Sequence, residues 1–378
     1  MIKVLRRTDT QALSKDLSTG RPFSRTIWVK EKNPKVIQIL DQRYLPHRVV
    51  IEDLSTLEEV VRAIKEMHVR GAPLIGVTAA FGLYLALLEG NSSLQVASEK
   101  LLAARPTAVN LKCAVERVLK ALKTVSSSED QIRVAFETAS QIADEDIEMC
   151  RRIGEHASKL IEELGKKKRG EPVNILTHCN AGWLACVEWG TATSGIYQAF
   201  EKKIKLHVWV DETRPRNQGA SLTAWELGER KIPHTLITDS SAGHMMQKGK
   251  VDIIFVGTDR ATRSGDVANK IGTYLVALAA KENKVPFYAA VPSTSIDWTI
   301  DDGLKQIPIE ERASEEVTHV RGLSDGEIKK VRVAPEGTQA LNYAFDVTPR
   351  HLITGLITER GITRANRANL AQLFPEKQ

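Results

Sequence analysis

The first part of the chain changes from alternating apolar and polar residues to helical spacing. Alternation is seen in the runs FSRTIWVK, KVIQILDQ and HRVVIED between residues 23 and 53. A period of two is typical of strands that bury one face, so these runs predict a small antiparallel sheet with a turn at Leu45-Pro46. From residue 55 to about residue 164 the spacing of apolar residues is helical, with breaks near residues 90 and 105.

The start and end of the first helix can be predicted from its flanking residues. Ser55 and Glu58 have the spacing of a capping box, in which two side chains pair with the backbone at a helix start. The helix should end near Arg70-Gly71, because glycine stops a helix, and Pro73 favours the first turn of another. The last helix of this part should begin at residues 127–128 and be long.

The second part of the chain alternates segments of strand length with segments of helix length. It follows the sequence Gly-Lys-Lys-Lys-Arg-Gly at 165–170, which we interpret as a linker. Strands are predicted at 173–176, 206–210, 235–237, 251–256 and 287–291, and helices at 183–200, 217–230, 240–248 and 268–282. Shorter strands are predicted near 318–320 and 352–358. The fold class is therefore α/β, a Rossmann-like parallel sheet with helices on both faces. We expect two domains, a helical domain with a small antiparallel sheet at 1–165 and the Rossmann-like domain at 171–378.

The stretch VDIIFVGTDRATRSGDVANKIGTY, residues 251–274, carries the clearest sign of a site. Its apolar run is typical of a strand buried on both faces, and Asp259 follows where that strand should end. Asp266 is predicted to cap a helix whose first turn contains Asn269 and Lys270. An acid, an amide, a cation and helix amides at one strand end suit an anionic small molecule. The alternative is a surface ion pair of Asp259 with Arg260 beside a capped helix.

Polar residues follow every predicted strand of the parallel sheet. They are Thr177-His178-Cys179-Asn180, Asp211-Glu212-Thr213-Arg214, Thr238-Asp239-Ser240, Thr258-Asp259-Arg260 and Pro292-Ser293-Thr294. Right-handed crossovers place all these strand ends at one edge, where open α/β sheets bind ligands. Cys179 is by position a nucleophile, a proton carrier or a small buried residue, and the pattern does not choose among the three. His178 is not spaced to pair with it, so no Cys-His dyad is predicted.

Composition and charge exclude several classes of protein. The chain has 42% hydrophobic and 26% charged residues and a net charge of +6 that is spread along it. The basic run at 166–169 lacks interleaved aromatic residues, so no nucleic-acid partner is predicted. Four cysteines without a Cys-x-x-Cys pair indicate neither a metal finger nor a secreted disulfide framework. No apolar segment resembles a signal peptide, and the uncharged run at 72–88 is shorter than a membrane span, so we expect a cytoplasmic protein without a membrane partner.

Two arginines stand at predicted helix boundaries. Arg70 and Arg105 can each offer paired donors to a phosphate, and Gly71 permits close approach of the backbone. On position alone, surface arginines are the commoner interpretation. Neither the G-x-G-x-x-G fingerprint nor a P-loop occurs, so a dinucleotide or nucleoside triphosphate site is not supported.

Seven stretches of the chain form one set of motifs. They are Arg70-Gly71-Ala72-Pro73, Arg105-Pro106-Thr107-Ala108-Val109-Asn110, Thr177-His178-Cys179-Asn180-Ala181-Gly182, Asp211-Glu212-Thr213-Arg214-Pro215 with Gln218-Gly219-Ala220, Asp266-Val267-Ala268-Asn269-Lys270, Ile307-Pro308-Ile309-Glu310-Glu311-Arg312 and Ala344-Phe345-Asp346-Val347-Thr348-Pro349. Together, and in this order, they resemble one family, the methylthioribose-1-phosphate isomerases of methionine salvage. The resemblance runs from about residue 23 to residue 365.

The resemblance implies conversion of 5-methylthioribose 1-phosphate to 5-methylthioribulose 1-phosphate. It implies that Cys179 and Asp259 are the catalytic pair. The positions that match substrate-binding residues of the family are Arg70, Gly71, Ala72, Arg105, Gln218, Asn269 and Lys270. It also implies a homodimer that uses no metal and no organic cofactor, with a small sugar phosphate as its substrate.

The reaction explains why an acid and a thiol are needed. A phosphate on the anomeric carbon blocks spontaneous ring opening, so an acid must protonate the ring oxygen. We expect Asp259 to be this acid, with a raised pKa in a dry pocket. Cys179 would assist hydrogen transfer between the first and second carbons, as a base or a stabiliser. Whether the hydrogen moves as a proton or a hydride is left open.

Three departures from the family pattern bear on the group at carbon five. Trp183 follows the Cys-Asn-Ala-Gly motif where the family has a small residue, Arg216-Asn217 replaces a more apolar pair, and Arg263 lies in the loop after Asp259. These residues leave 5-deoxyribose 1-phosphate as an alternative or additional substrate.

Two related activities are the alternatives to this isomerase. Regulatory subunits of the translation-initiation exchange factor share the expected fold but are non-catalytic assembly proteins. We expect such a protein to lack Cys179 and Asp259 in their motifs. Ribose-1,5-bisphosphate isomerases would need a second phosphate site, for which the sequence shows no clear basic cluster.

Overall fold

The computed structural model describes residues 2–5, 25–91, 93–105 and 108–377. This part of the chain forms two compact units. The first unit contains the described residues up to Cys150 together with Trp183–Gly190, and the second contains Arg151–Gly182 together with the residues from Thr191 onward. The predicted boundary between domains 1–165 and 171–378 lies further along the chain than the change of unit at Cys150, and it stays a prediction.

The first unit begins with a four-stranded antiparallel sheet in the order β1-β4-β3-β2. Its strands are β1 Ile2–Leu5, β2 Ile27–Val29, β3 Ile37–Leu40 and β4 Val49–Leu54. The three predicted runs are therefore strands, and residues such as Ile37 and Ile39 are fully buried on one face. β1 lies outside the predicted runs, because four residues are too few to show alternation; it pairs with β4.

The helices of the first unit surround one apolar helix. They are α1 Leu57–Lys65, α2 Ala72–Glu89, α3 Leu94–Ala104, α4 Val109–Leu122 and the start of α5 Ser128–Lys167. Among the described residues, α2 alone is long and apolar enough to cross a membrane, but 78% of its most apolar window is buried inside the protein. It packs in one core with α1, α3 and α4, which is the arrangement predicted for a buried core helix.

The capping box of α1 lies one residue later than predicted. The Thr56 side chain, and not that of Ser55, accepts the N–H of Glu59 at 3.2 Å. The Glu59 carboxylate in turn accepts the N–H of Thr56 at 3.1 Å. Both pairs, Ser55 with Glu58 and Thr56 with Glu59, fit the capping-box pattern. Burial of Leu57 and Val60 against the core selects the second pair.

The predicted linker at 165–170 is wrong for its first half. Helix α5 is 40 residues long and continues to Lys167. Lys168 follows directly and pairs with Asp252 at 2.6 Å, with both side chains partly buried. A run of lysines between two glycines suggests a linker, but these lysines extend a long helix whose earlier turns are already held by packing.

The second unit is built on a seven-stranded sheet in the order β17-β16-β11-β8-β5-β6-β7. The strands are β5 Val173–His178, β6 Leu206–Asp211, β7 His234–Ile237, β8 Ile253–Val256, β11 Phe287–Ala290, β16 Gly355–Thr358 and β17 Gly361–Thr363. All neighbours are parallel except β16 and β17. This confirms the α/β class and the parallel sheet.

A second sheet and a hairpin accompany this parallel sheet. The second sheet has the order β12-β9-β10-β15 and contains β9 Arg260–Thr262, β10 Val267–Lys270, β12 Ile296–Asp297 and β15 Phe345–Thr348. The hairpin consists of β13 His319–Ser324 and β14 Glu327–Arg332. The short strands predicted near 318–320 and 352–358 correspond to β13 and β16.

The helices of the second unit are shorter than predicted. They are the end of α5, α6 Ser194–Glu201, α7 Ala224–Glu229, α8 Ser241–Gln247, α9 Thr273–Glu282, α10 Gly303–Gln306, α11 Glu315–Thr318 and α12 Arg367–Leu373. A π-helix, Gly219–Thr223, precedes α7. Short 3-10 helices occur at Gln42–Tyr44, Trp183–Ala185, Ser293–Ser295, Arg350–Leu352 and Pro375–Lys377.

The predicted helix at 183–200 begins only at Ser194. Residues 183–190 belong instead to the first unit, where the Val187 N–H donates to the buried Asp146 carboxylate at 2.8 Å. Burial raises the pKa of Asp146 to about 7, although the Val187 and Cys150 hydrogen bonds lower it. This anchor is a contact distant in sequence, and so helical spacing alone could not reveal it.

Replacing Thr56 with alanine should lower the free energy of unfolding by about 1 kcal/mol, because the mutation removes the side-chain oxygen that accepts the Glu59 N–H. Ser55→Ala is the matched control, since Ser55 contributes only its backbone N–H to Glu59, at 2.7 Å. Its effect should stay within about 0.5 kcal/mol. Urea denaturation followed by circular dichroism measures both; equal losses would contradict the observed register of the cap.

Candidate active site

Cys179 and Asp259 follow the ends of two paired strands. β5 and β8 are parallel neighbours, and their register aligns His178 with Val256. Cys179 comes directly after β5, and Asp259 comes three residues after β8. The two segments that follow β5 and β8 stay close together, because a Cβ atom on Gly257 would collide with the side chain of Ala181. Paired strands lie about 4.8 Å apart, so both residues are carried at the same edge of the sheet.

The backbone of Cys179 is held on both sides by threonine hydroxyls. Its N–H donates to Thr213 Oγ1 at 2.8 Å, and its carbonyl accepts from Thr223 Oγ1 at 2.6 Å. These bonds hold Cys179 at a φ of 67°, a left-handed conformation that costs a residue with a side chain about 1–3 kcal/mol. The side chain is buried and not part of a disulfide. The strain and the two bonds indicate that the backbone which carries the thiol is held in one conformation.

Asn269 and Lys270 lie on a strand and not in the predicted first turn of a helix. β10 pairs antiparallel with β9, aligning Ala268 with Arg260, and the Asp259 N–H donates to the Ala268 carbonyl at 3.0 Å. If the register of β9 and β10 is continued by one residue, Asn269 lies opposite Asp259. Both Asn269 and Lys270 are buried. The structure therefore brings these two residues to the strand end that carries Asp259.

Asp266, predicted to cap the helix, makes other contacts. Its carboxylate accepts the N–H of Gly303 at 3.0 Å and the N–H of Arg350 at 2.9 Å. Helix α9 begins at Thr273, with Gly272 as its N-cap. The helix prediction was wrong here because β10 is stabilised by pairing with β15, far along the chain, and this pairing leaves no local pattern.

Lys270 and Asn269 are each fixed by contacts within the second unit. The Lys270 ammonium donates to the Ala344 carbonyl at 2.8 Å and lies 4.7 Å from the centre of the Phe345 ring. The Asn269 amide donates to Thr273 Oγ1 at 3.1 Å. Both side chains are thus ordered before any ligand binds, as an efficient binding site requires.

Among the buried oxygen atoms that have no hydrogen-bond partner in the described part of the chain, two belong to residues beside or within the predicted site. They are Thr258 Oγ1, beside Asp259, and Gln218 Oε1, which precedes the π-helix. The π-helix lies against the end of β6, because a Cβ atom on Gly219 would collide with the Asp211 carbonyl. Buried polar groups are normally hydrogen-bonded, so these two atoms indicate positions that ligand hydroxyls or phosphate could satisfy.

The remaining predicted binding residues lie in the first unit. Gly71 is the N-cap of α2 with a φ of 91°, and a Cβ atom there would collide with Ala185. Ala72 is buried and Arg70 is partly exposed. Arg105 is the C-cap of α3, ahead of α4. Because a Cβ on Gly76 would lie 2.9 Å from the Asn110 carbonyl, the starts of α2 and α4 are in contact. Arg70 and Arg105 therefore precede two helix N-termini that meet, and helix N-termini favour anions.

His178 has a role that the sequence pattern did not reveal. Its ring contacts Asp211 Oδ2 through Nδ1 at 3.0 Å and the Ile271 carbonyl through Nε2 at 2.8 Å. Both nitrogens are thus engaged away from Cys179. Burial raises the pKa of Asp211 to about 6, although the bond with His178 lowers it. Burial alone would lower the pKa of His178, but the hydrogen bond with Asp211, the charges of Asp211 and Asp239 and the Ile271 carbonyl together raise that pKa above its ordinary value.

Among the residues that the structure describes, three clusters of acidic, histidine or cysteine side chains have ligand atoms within 4.8 Å of one another. They are Asp146 with Cys150 and Cys186, Asp41 with Glu52 and His68, and His178 with Asp211 and Asp239. Each contains an internal hydrogen bond, for example His68 Nδ1 to Glu52 at 2.6 Å. Such pairing is ordinary for buried polar groups. The expectation that no metal and no cofactor is used stays a prediction.

Two of the three departures from the family pattern are arginines with acidic partners. Arg216 pairs with Glu316 at 2.7 Å, and Arg263 donates to Asp301 at 2.7 Å. Burial would raise the pKa of Glu316, but Arg312 and Arg216 lower it to about 2, so the Arg216 pair stays charged. Trp183 is buried in the first unit. The two arginine charges are therefore balanced by acids.

Comparison with known proteins places the chain in a family. Residues 68–365 match the model of the initiation factor 2 subunit family. A protein of Desulfosudis oleivorans named methylthioribose-1-phosphate isomerase is 57% identical, with 94% of this chain and 98% of that protein covered. One of the same name from Desulfatibacillum aliphaticivorans is 55% identical, with 96% and 100% covered.

Solved structures agree with this placement. The crystal structure of 5-methylthioribose 1-phosphate isomerase from Pyrococcus horikoshii OT3 is similar, with a TM-score of 0.80, 40% identity, and 94% of this chain and 96% of that chain covered. The translation initiation factor eIF-2B subunit delta from A. fulgidus is similar with a TM-score of 0.76, 37% identity, and 93% and 99% covered. The chain belongs to the initiation factor 2 subunit family and, within it, to the methylthioribose-1-phosphate isomerase family.

Proposed function

We propose that the protein converts 5-methylthioribose 1-phosphate to 5-methylthioribulose 1-phosphate, an aldose–ketose isomerisation of methionine salvage. One observation carries this proposal. Cys179 and Asp259 follow adjacent paired strands in a chain that is 57% identical, over nearly its whole length, to a protein named for this activity. An acid and a thiol at one sheet edge are the groups that ring opening and hydrogen transfer need.

The proposed steps follow from these side chains. Asp259 donates its proton to the ring oxygen, which opens the ring while the anomeric phosphate stays attached. Cys179 then assists hydrogen transfer from the second to the first carbon, as a base or as a stabiliser. The hydroxyl of the second carbon loses its proton as the ketone forms, and this proton restores Asp259 to its acid form. Positioned acid–base catalysis contributes roughly 10²–10⁴-fold for each group. The backbone of Cys179, held by two hydrogen bonds, supports this role because it fixes the point from which the thiol projects.

The family pattern matches two sets of residues to substrate binding. In the second unit these are Gln218, Asn269 and Lys270, and the unpaired oxygens of Gln218 and Thr258 support hydroxyl or phosphate contacts. In the first unit they are Arg70, Gly71, Ala72 and Arg105, which the family pattern matches to binding positions. A phosphate dianion is suited to arginine donors and helix N-termini.

The charges around the loop after Asp259 favour an uncharged group at carbon five. Arg216 and Arg263 are each paired with an acid, so neither is offered as a second phosphate site. This argues against ribose 1,5-bisphosphate and keeps both the methylthio and the deoxy sugar as substrates.

A non-catalytic role is the second candidate, and one observation favours it. The structure of an initiation-factor subunit resembles the chain at 37% identity. The presence of Cys179 and Asp259 in their motifs favours the enzyme. We further propose a cytoplasmic homodimer that uses no cofactor and binds neither nucleic acid nor membrane.

Asp259→Asn and Cys179→Ser should each lower kcat by roughly 10²–10⁴-fold, because each removes one proton-transfer or stabilising group. The dissociation constant for the sugar phosphate, measured by calorimetry, should change only slightly. Matched controls are Asp325→Asn in the hairpin and Cys113→Ser on α4, both exposed residues. Near-normal turnover of Asp259→Asn would remove the acid assignment.

The purified protein should isomerise 5-methylthioribose 1-phosphate and 5-deoxyribose 1-phosphate, and kcat/KM for ribose 1,5-bisphosphate should be far lower, since Arg216 and Arg263 are paired. A coupled assay of ketose formation measures all three sugars. Turnover of none of them would favour the non-catalytic role, whereas a preference for the bisphosphate would refute the argument from charge.

A further inference from the structure

His178 joins three segments that carry the proposed site. It is the last residue of β5, directly before Cys179, and it is fully buried. Through Nδ1 it contacts Asp211 at the end of β6 at 3.0 Å, and through Nε2 it contacts the Ile271 carbonyl at 2.8 Å. Ile271 follows Lys270, so the imidazole links the backbone of the proposed catalytic thiol to the segment that carries two proposed binding residues.

Gly272 shows how closely this segment packs on the ring. It has a φ of 103°, and a Cβ atom there would lie 2.9 Å from His178 Cε1 and 3.0 Å from Nε2. The Gly272 N–H donates to Asp346 at 2.7 Å, which fixes the start of α9 on the other side. The turn between β10 and α9 is therefore held between His178 and Asp346.

The hydrogen bonds define where the protons are. A carbonyl oxygen only accepts, so the contact with Ile271 requires a proton on Nε2. The contact between Nδ1 and Asp211 requires one more proton, carried by either partner. The pair is thus an imidazolium with a carboxylate or a neutral imidazole with a carboxylic acid, and it holds two protons in both forms. The raised pKa values of both groups agree with a proton that the pair retains.

Loss of the shared proton would break one of these links. A single remaining proton can serve Asp211 or Ile271 but not both, and the other contact would set two lone pairs against each other. Acidic groups act on the His178–Asp211 pair from several elements: Asp239 after β7 and Asp346 on β15 interact with the ring, and Glu212 interacts with Asp211. Lys270 on β10 is a positive charge that interacts with Asp346. The acids favour retention of the proton.

We propose that His178 is a positioning residue that, by holding a proton on each side of its ring, sets the Asn269–Lys270 segment relative to Cys179. This inference rests on the proposed function, because it assigns those residues to one substrate. Activity should therefore be present while the pair is protonated and should fall as the pH rises through the pKa of the pair, which lies above the ordinary value of histidine. Protonation favours the active arrangement, so the loss is on the alkaline side.

The Asp211→Asn variant should keep both hydrogen bonds of the His178 ring but remove the proton that the pair shares. The amide can donate to Nδ1 of a neutral imidazole, and Nε2 still donates to Ile271, so both links survive without a titrating proton. We expect this variant to keep kcat/KM near its low-pH value and to lose the alkaline fall of the wild type. An unchanged alkaline fall would overturn the proposal.

His178→Gln tests the links themselves. A glutamine cannot reach both Asp211 and Ile271, so kcat/KM should fall by roughly 10–100-fold at every pH, the order expected from a displacement of about 1 Å at a reacting centre. His207→Gln is the matched control, because His207 is half-exposed on β6 and contacts Thr235. Wild-type kinetics in His178→Gln would overturn the proposal.

A measurement independent of turnover completes the test. In uniformly 15N-labelled protein, the His178 resonances, assigned by their loss in His178→Gln, should show protons on both nitrogens at neutral pH or one shared with Asp211. The amide resonances of Lys270 and Gly272 should shift with the same pKa. If the wild type turns over no sugar phosphate, the proposed function fails, and these shifts alone decide the role of His178. If the amide resonances of Lys270 and Gly272 do not shift through the titration of His178, the positioning role is refuted.

Discussion

The parallel pairing of β5 with β8 is the contact on which the candidate site depends. These strands are central in the seven-stranded sheet, and both are almost wholly buried. Their register aligns His178 with Val256, so the chain leaves both strands at the same level. A shift of register would move Cys179 away from Asp259 and expose buried residues of the strand. Burial of the core thus sets the geometry of the candidate site.

The segments that follow these strands pack in close contact with one another. Gly257 lies against Ala181, Gly219 against the Asp211 carbonyl, and Gly182 against the carboxylate of Glu226. Glu226 is itself buried and accepts the Tyr197 hydroxyl at 2.7 Å. Glycines at such positions allow backbone to approach backbone or carboxylate. A site held this way is preorganised, which supports catalysis by fixed groups rather than by adjustment to the substrate.

The charged side chains around the proposed site fall into two groups. Two arginines that depart from the family pattern are paired with acids, Arg216 with Glu316 and Arg263 with Asp301. Near the strand ends, in contrast, the structure places the buried Lys270 and the His178–Asp211 pair. Charges and protons retained in a buried environment act more strongly than they would in water, because the surroundings screen them less.

The sequence by itself determined the α/β class, the strands of the parallel sheet, the residues at their ends and the family motifs, because buried strands and helices leave periodic local patterns. Only the tertiary structure decided that Asn269 and Lys270 lie on a strand, that Thr56 and not Ser55 caps α1, that residues 183–190 pack in the first unit, and that His178 faces Asp211. Each of these four features depends either on a partner distant along the chain or on which of two equally good local patterns buries its apolar residues. Local patterns record that a residue is buried, but not the partner against which it is buried.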